Sequence, residues 1–321
     1  MQQQKLSKFF PVKLSNNEKN KKCFIYDPDN YKAFFENKPN DDDVFLTIKS
    51  NVKLYYRLPR NKKTFIIPTI ETKFGVPLLK SNLQKAVRRC QTQIAINSAL
   101  AIIQKDPIEL LRRLPVIYIE DVCLMDSYSI PVWLMMAEKE HTLNTTDIDI
   151  LLNIVKNLCE CNIYYDENSA RLSDKKLFDL SHKSLQDFEH KDLLLSLFYR
   201  SQYGGLKGDM IMLKNSIYYY SARPLEIQKT KYDSINYETF NNVLEIIPEA
   251  IDFHPFPQMI TMLVKQTNLD NNDIKMSIWF SESGLNIRKP FTIENSREYT
   301  NKETWKIIKY KLSRVRCMLL Q

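Results

Sequence analysis

The sequence predicts an α+β protein, mostly α, with a small N-terminal β element followed by a multi-helix domain. Three observations lead there. Of the 321 residues, 44% are hydrophobic and 11% aromatic, enough to build a core. β-branched and aromatic runs gather before residue 80, whereas apolar residues recur at helical spacing from residue 81 onward. The length suits one large domain or two moderate ones.

Residues 1–22 read as a flexible tail, because Ser15 to Lys22 is polar and has no apolar period. Lys19, Lys21 and Lys22 give it the basic character of a nuclear import signal. Residues 23–80 form the β-rich element. Val44–Ile48 and Val52–Tyr56 flank Lys49-Ser-Asn51 as a hairpin turn, and Thr64–Ile67, closed by Pro68, is expected as a third strand. Asp41-Asp-Asp43 reads as a solvated turn in preference to a metal site.

Residues 81–321 are expected to be mainly helical. Leu83, Val87, Cys90, Ile94 and Ala101 mark one apolar stripe, with Ser81 or Asn82 as its N-cap. Asp106-Pro-Ile-Glu109 opens a second helix with a cap, a first-turn proline and a capping-box glutamate. Pro115 is expected to kink or break it. Glu109 and Arg113 are spaced to pair, and Arg112, Arg113, Glu120 and Asp121, set among apolar residues, read as ion pairs locking helices together. Ser129 and Thr146 are placed to cap helices near 130–140 and 147–161. A helix near 191–200 leads into Tyr203-Gly-Gly-Leu-Lys-Gly-Asp209, read as a sharp helix-to-strand turn. Met210 to Tyr220 is β-prone, and further helices are expected near 257–267, 272–280 and 302–319.

The net charge of +8 favours an acidic partner, most simply nucleic acid. Arg88 and Arg89 are read as phosphate contacts on a polar helix face. Lys207, beside glycines that expose backbone N–H groups, is a third candidate. Arg288 and Lys289 follow Trp279 and Phe280, a stacking arrangement suited to a strand. Lys309 and Arg316 belong to a basic amphipathic segment that also carries Lys306, Lys311 and Arg314.

Asp252 and His254 are the candidate catalytic pair, because residues i and i+2 of an extended segment share a side. With Glu120, Asp121 and Asp209 they would suit Mg²⁺ or Mn²⁺; otherwise no cofactor and no firm metal ligand is assigned. Six cysteines without a C-x-x-C pair argue against a disulfide framework or structural zinc, and point to a reducing compartment. No secretory signal or membrane-spanning run is expected, and no membrane partner.

The first ten residues place Gln3, Leu6, Phe9 and Phe10 in the spacing Q-x-x-L-x-x-F-F. In a short helical turn Leu6, Phe9 and Phe10 project together as an apolar plug, and Gln3 keeps its amide free. This spacing resembles the PIP box, the peptide by which replication and repair proteins dock on the sliding clamp PCNA. The resemblance implies PCNA as partner and those four residues as the contact. A second stretch, Leu83-Gln-Lys-Ala-Val-Arg-Arg, then Asp106-Pro and Arg112-Arg-Leu-Pro-Val-Ile-Tyr-Ile-Glu-Asp-Val-Cys-Leu-Met-Asp126, resembles the C-terminal helical region of clamp-loader-like replication-restart ATPases. Cys123 and Met125 depart from that pattern, and the chain has no G-x-x-x-x-G-K-[ST] loop, so ATP hydrolysis is not implied.

Together these readings describe a PCNA-tethered replication or repair accessory protein that holds DNA through basic helical surfaces. The expected location is the nucleus, or the replication compartment of a large DNA virus. A PCNA-recruited metal-dependent nuclease and a non-catalytic partner-binding helical domain are the alternatives.

Overall fold

Two β-hairpins open the described part of the protein and join edge to edge. The computed structural model describes residues 22–60, 66–163, 185, 188–221, 227–233, 235–237, 241–253, 257–278 and 302–320. The protein is α+β and mostly α. Strands β1 (Cys23–Asp27), β2 (Lys32–Glu36), β3 (Asp43–Lys49) and β4 (Val52–Arg57) come first. Helices α1 (Val76–Arg88), α2 (Thr92–Lys105), α3 (Pro107–Asp121), α4 (Ser129–Met136), α5 (Thr145–Glu160), α6 (Lys191–Gln202) and α7 (Lys207–Ser221) follow. The last are α8 (Pro248–Phe253), α9 (Pro257–Thr267), α10 (Asn271–Ile278) and α11 (Lys302–Leu320).

The sheet order is β2-β1-β4-β3, with each hairpin antiparallel and the inner pair β1/β4 parallel. Ser50 and Asn51 close the second hairpin with φ of 50° and 65°, the doubly positive geometry that matches strand twist in two-residue loops. Alternation sorts the strands into two faces. Phe24, Tyr26, Leu54 and Tyr56 face the helices, and Cys23, Ile25 and Tyr55 pack on the other side with Phe34 and Phe45.

Polar contacts fix the sheet on the helices. The Trp133 indole of α4 donates to the Phe24 carbonyl at 3.0 Å. The Tyr26 hydroxyl donates to Asp147 of α5 at 2.9 Å. The same carboxylate completes a capping box with Asn144, so α5 is capped by Asn144 where Thr146 was expected.

Several helix boundaries differ from expectation, each for a physical reason. α1 starts at Val76 behind Gly75, with Pro77 in its first turn, so Ser81 and Asn82 lie inside the helix. Both serve tertiary contacts there. Ser81 donates to the Ala250 carbonyl at 2.8 Å, and Asn82 donates to Glu245 O at 2.7 Å and accepts from Ile247 N at 2.9 Å. The single stripe from Leu83 to Ala101 is two helices. Cys90, at φ 56°, ends α1: Gln91 N bonds Ala86 O at 2.8 Å and Cys90 N bonds Val87 O at 3.0 Å, the two bonds of a Schellman turn.

α3 runs unbroken through Pro115. That proline has no N–H for the Leu111 carbonyl and crowds it. One residue on, the Arg112 carbonyl accepts from Arg200 at 2.7 and 3.2 Å, so a side chain of α6 donates to the turn that the proline disturbs. Met210 to Tyr220 is helical, not β. Leu213, Ile217 and Tyr220 bury one face at helical spacing, and that burial outweighs the strand preference of Ile and Tyr. Ile66 and Ile67 form no strand, and Ile66 is 89% exposed; Thr64 and Phe65 lie outside the described residues. Ser129 is the first residue of α4, with Tyr128 before it in the N-cap place.

The main core runs from the sheet through α7 to Ala250. A second cluster joins Ile251 to α9, α10 and α11 through Met259, Leu263, Ile274, Trp305, Ile308, Leu312 and Val315. Trp305, Ile308, Leu312 and Val315 recur at helical spacing, and so turn the opposite side of α11 outward.

Candidate nucleic-acid interface

The outward side of α11 bears Lys306, Lys309, Tyr310, Ser313 and Arg314, all exposed. Tyr310 is 82% exposed, an unusual position for a large aromatic ring, and cations stand around it on the same helix. Lys306 lies 3.0 Å from Glu303, a solvent-facing pair too weak to remove its charge from a partner. Lys309 is thus where the sequence placed it. Arg316 is half-buried, and Arg314 is the exposed arginine of this face.

Arg88 and Arg89 are not part of an outer surface. Arg88 is 1% exposed and Arg89 is buried too. Arg88 Nε bonds Asp121, and Arg88 Nη2 lies 3.2 Å from Glu120. The reason is packing: α1 is covered by α2, α3, α5 and α8, so its polar stripe meets other helices instead of solvent. Beside them Lys85 is fully buried, and burial together with the Arg88 charge lowers its pKa to about 7. Burial and the adjacent Asp121 raise the Glu120 carboxyl. This network locks α1 to α3, as the apolar setting of Glu120 and Asp121 implied.

Asp252 belongs to helix α8, where an extended segment was expected. His254, Arg288 and Lys289 lie outside the described residues, as do Gln3, Leu6, Phe9 and Phe10. Among the described residues, no group of three or more His, Cys, Asp or Glu side chains is placed to hold a metal. No helix of the described residues is long and apolar enough to cross a membrane.

Two clefts stand out. The larger, about 710 Å³, is lined by Asp27, Asp29, Asp42 and Asp149 with Arg57 and Arg60, a field that repels phosphate. Arg57 is itself committed, at 2.7 Å from both Asp27 and Asp43. The smaller, about 350 Å³, lies where α1, α3, α6 and the start of α7 meet. Lys80, Arg112, Arg113 and Arg200 line it with Glu109 and Asp209.

Glu109 bonds Lys80 and accepts from Arg112 at 3.1 Å; the Lys80 bond is the main cause that holds its carboxyl below the usual range. Its expected partner, Arg113, instead lies 3.8 Å from Asp209. The glycine turn forms one wall, with Gly204 and Gly205 at φ 96° and 145°, values only glycine adopts freely. It joins helix to helix, not helix to strand. Lys207 is exposed at its end, as the first residue of α7.

The single cleft cation at 2% exposure, Arg200, was not visible in the sequence. Its carbonyl partner on α3, Arg112, is far from it in sequence, and the adjoining 203–209 turn supplies the other, Gly204. Comparisons with known protein families, with curated proteins and with solved structures find no match.

Proposed function

We propose that the protein is a PCNA-tethered accessory factor of DNA replication or repair, which holds DNA on the exposed face of α11. The observation that carries the reading is the Q-x-x-L-x-x-F-F spacing of Gln3, Leu6, Phe9 and Phe10, followed by a polar, lysine-rich stretch. A short tail of that composition raises the local concentration of the body around a clamp.

Support for the DNA half comes from Lys306, Lys309 and Arg314, which stand on one side of one helix around the outward ring of Tyr310. Cations at this spacing follow a phosphate backbone, and an exposed ring between them stacks on an unpaired base. The net charge of +8 acts in the same direction by steering. The nucleus, or a viral replication compartment, is where such a factor works.

A titration of the full chain against duplex and single-stranded DNA over a range of salt tests the DNA half. Three phosphate contacts give a log–log slope of roughly −2 to −3. Affinity that does not change with salt would overturn this half of the reading.

A further inference from the structure

We propose that the small cleft between α3, α6 and the start of α7 is a binding site for a phosphate monoester. The inference goes beyond the clamp and α11 readings and does not depend on either.

Charge is the first argument. Four cations, Lys80, Arg112, Arg113 and Arg200, face two carboxylates, Glu109 and Asp209, which leaves two positive charges in excess. A phosphate monoester carries about −1.5 to −2 charges near neutral pH, the amount that balances this excess. Arg200 is the least balanced of the four. It is buried, and its donors go to the Arg112 and Gly204 carbonyls, at 2.7 to 3.2 Å, which carry no net charge. Among the described residues no carboxylate lies within 4.0 Å of it. Burial, aided by the Arg112 and Arg113 charges, pulls its pKa below the ordinary arginine value. An incoming anion relieves that penalty.

Donor geometry is the second. Arg113 stands 3.8 Å from Asp209, well beyond the roughly 2.7–2.9 Å of a charge-assisted bond, and its Nη1 donates a long bond to the neutral Gln84 Oε1 at 3.4 Å, so among the described residues no carboxylate occupies its fork. α7 begins at the cleft: its first internal bond runs from Met210 N to Leu206 O at 3.1 Å. The amides of Lys207, Gly208 and Asp209 therefore have no acceptor within the helix and sit at its positive end. A Cβ on Gly205 would lie 3.2 Å from Met210 Cε and 3.7 Å from Arg200 Nη2, so glycine keeps this wall close to the guanidinium.

Size is the third. About 350 Å³ is at the small end of ligand pockets, which suits one phosphate with part of a nucleoside and excludes a duplex. The same chemistry is offered by the phosphorylated end of a DNA strand and by a free nucleoside monophosphate.

Two matched pairs of probes test the site on the full chain. One is a short oligonucleotide with a 5′-phosphate or a 5′-hydroxyl. The other is a nucleoside monophosphate and its nucleoside. The phosphorylated member of at least one pair is expected to bind tenfold or more tightly. Preference in the oligonucleotide pair alone assigns strand ends, and preference in the mononucleotide pair assigns free nucleotide. Arg112→Gln should remove the preference. So should Leu206→Asp, which adds a negative charge at a 61% exposed position and leaves the core untouched. Lys309→Ala with Arg314→Ala on α11 should leave it intact, so that failure here is distinct from failure of the DNA reading. Equal binding of both members in both pairs, or a preference undisturbed by Arg112→Gln and Leu206→Asp, overturns the proposal.

Discussion

At the scale of single residues, burial decides what a charge does. Arg88 looks like a phosphate ligand in a string of polar letters, but in the fold it neutralises Asp121. Its removal takes the Arg88 charge away from a buried carboxylate, so Arg88→Ala should cost about 3–5 kcal/mol of stability. Chemical denaturation measures this, and a loss below about 1 kcal/mol would show that the pair matters little. Lys85 supplies a pH signature. Its folded pKa, about 7, lies below the unfolded value near 10.5, so the unfolded chain binds more protons between them. Stability therefore gains from this residue as pH rises above 7, by at most about 1.4 kcal/mol per pH unit, and the penalty is fully present below 7. Denaturation midpoints of the wild type and Lys85→Met, compared from pH 7 to 9, should converge as pH rises. A constant gap would contradict the assignment. None of this was legible in Lys85, Arg88 and Arg89 as letters, because it needs the helices that cover α1 on several sides.

At the scale of elements, periodic helices were the most legible part. Pro257–Thr267 coincides with its expected span, and α6, α10 and α11 differ from theirs by a few residues at most. The second hairpin could be read because Ser50-Asn51 and its alternating flanks carry local information. What could not be read was non-local. Asn82 inside α1 looks like a cap until the 241–250 segment docks on it, and Met210–Tyr220 looks like a strand until α6 covers its Leu213–Ile217 side. The Schellman turn at Cys90 gives a test. Cys90 is exposed and holds a left-handed φ that disfavours any side chain. Cys90→Gly should raise stability by about 0.5–1 kcal/mol, read as a higher denaturation midpoint. A fall would mean that the thiol has a role its exposure does not suggest. α11 offers a second test. Lys309→Ala with Arg314→Ala should leave the melting temperature unchanged, weaken DNA binding and reduce the salt slope by about 2. Unaltered affinity would remove α11 from the interface.

At the scale of the molecule, the sheet and helices share one core, a second apolar cluster seats α11, and the basic face of that helix turns outward. Fold class was legible throughout, since it rests on periodicity and composition. Lys309 and Lys207, singled out in the sequence, are exposed, whereas Arg200 entered its cleft through packing against α3 that no local pattern encodes. The tether to PCNA carries the functional reading. Calorimetric titration of PCNA with the full chain and with its Phe9→Ala, Phe10→Ala variant tests it directly. The wild type is expected to bind, and the variant to lose at least tenfold, about 1.4 kcal/mol or more. Equal affinity of the two proteins, or no binding by either, would contradict it.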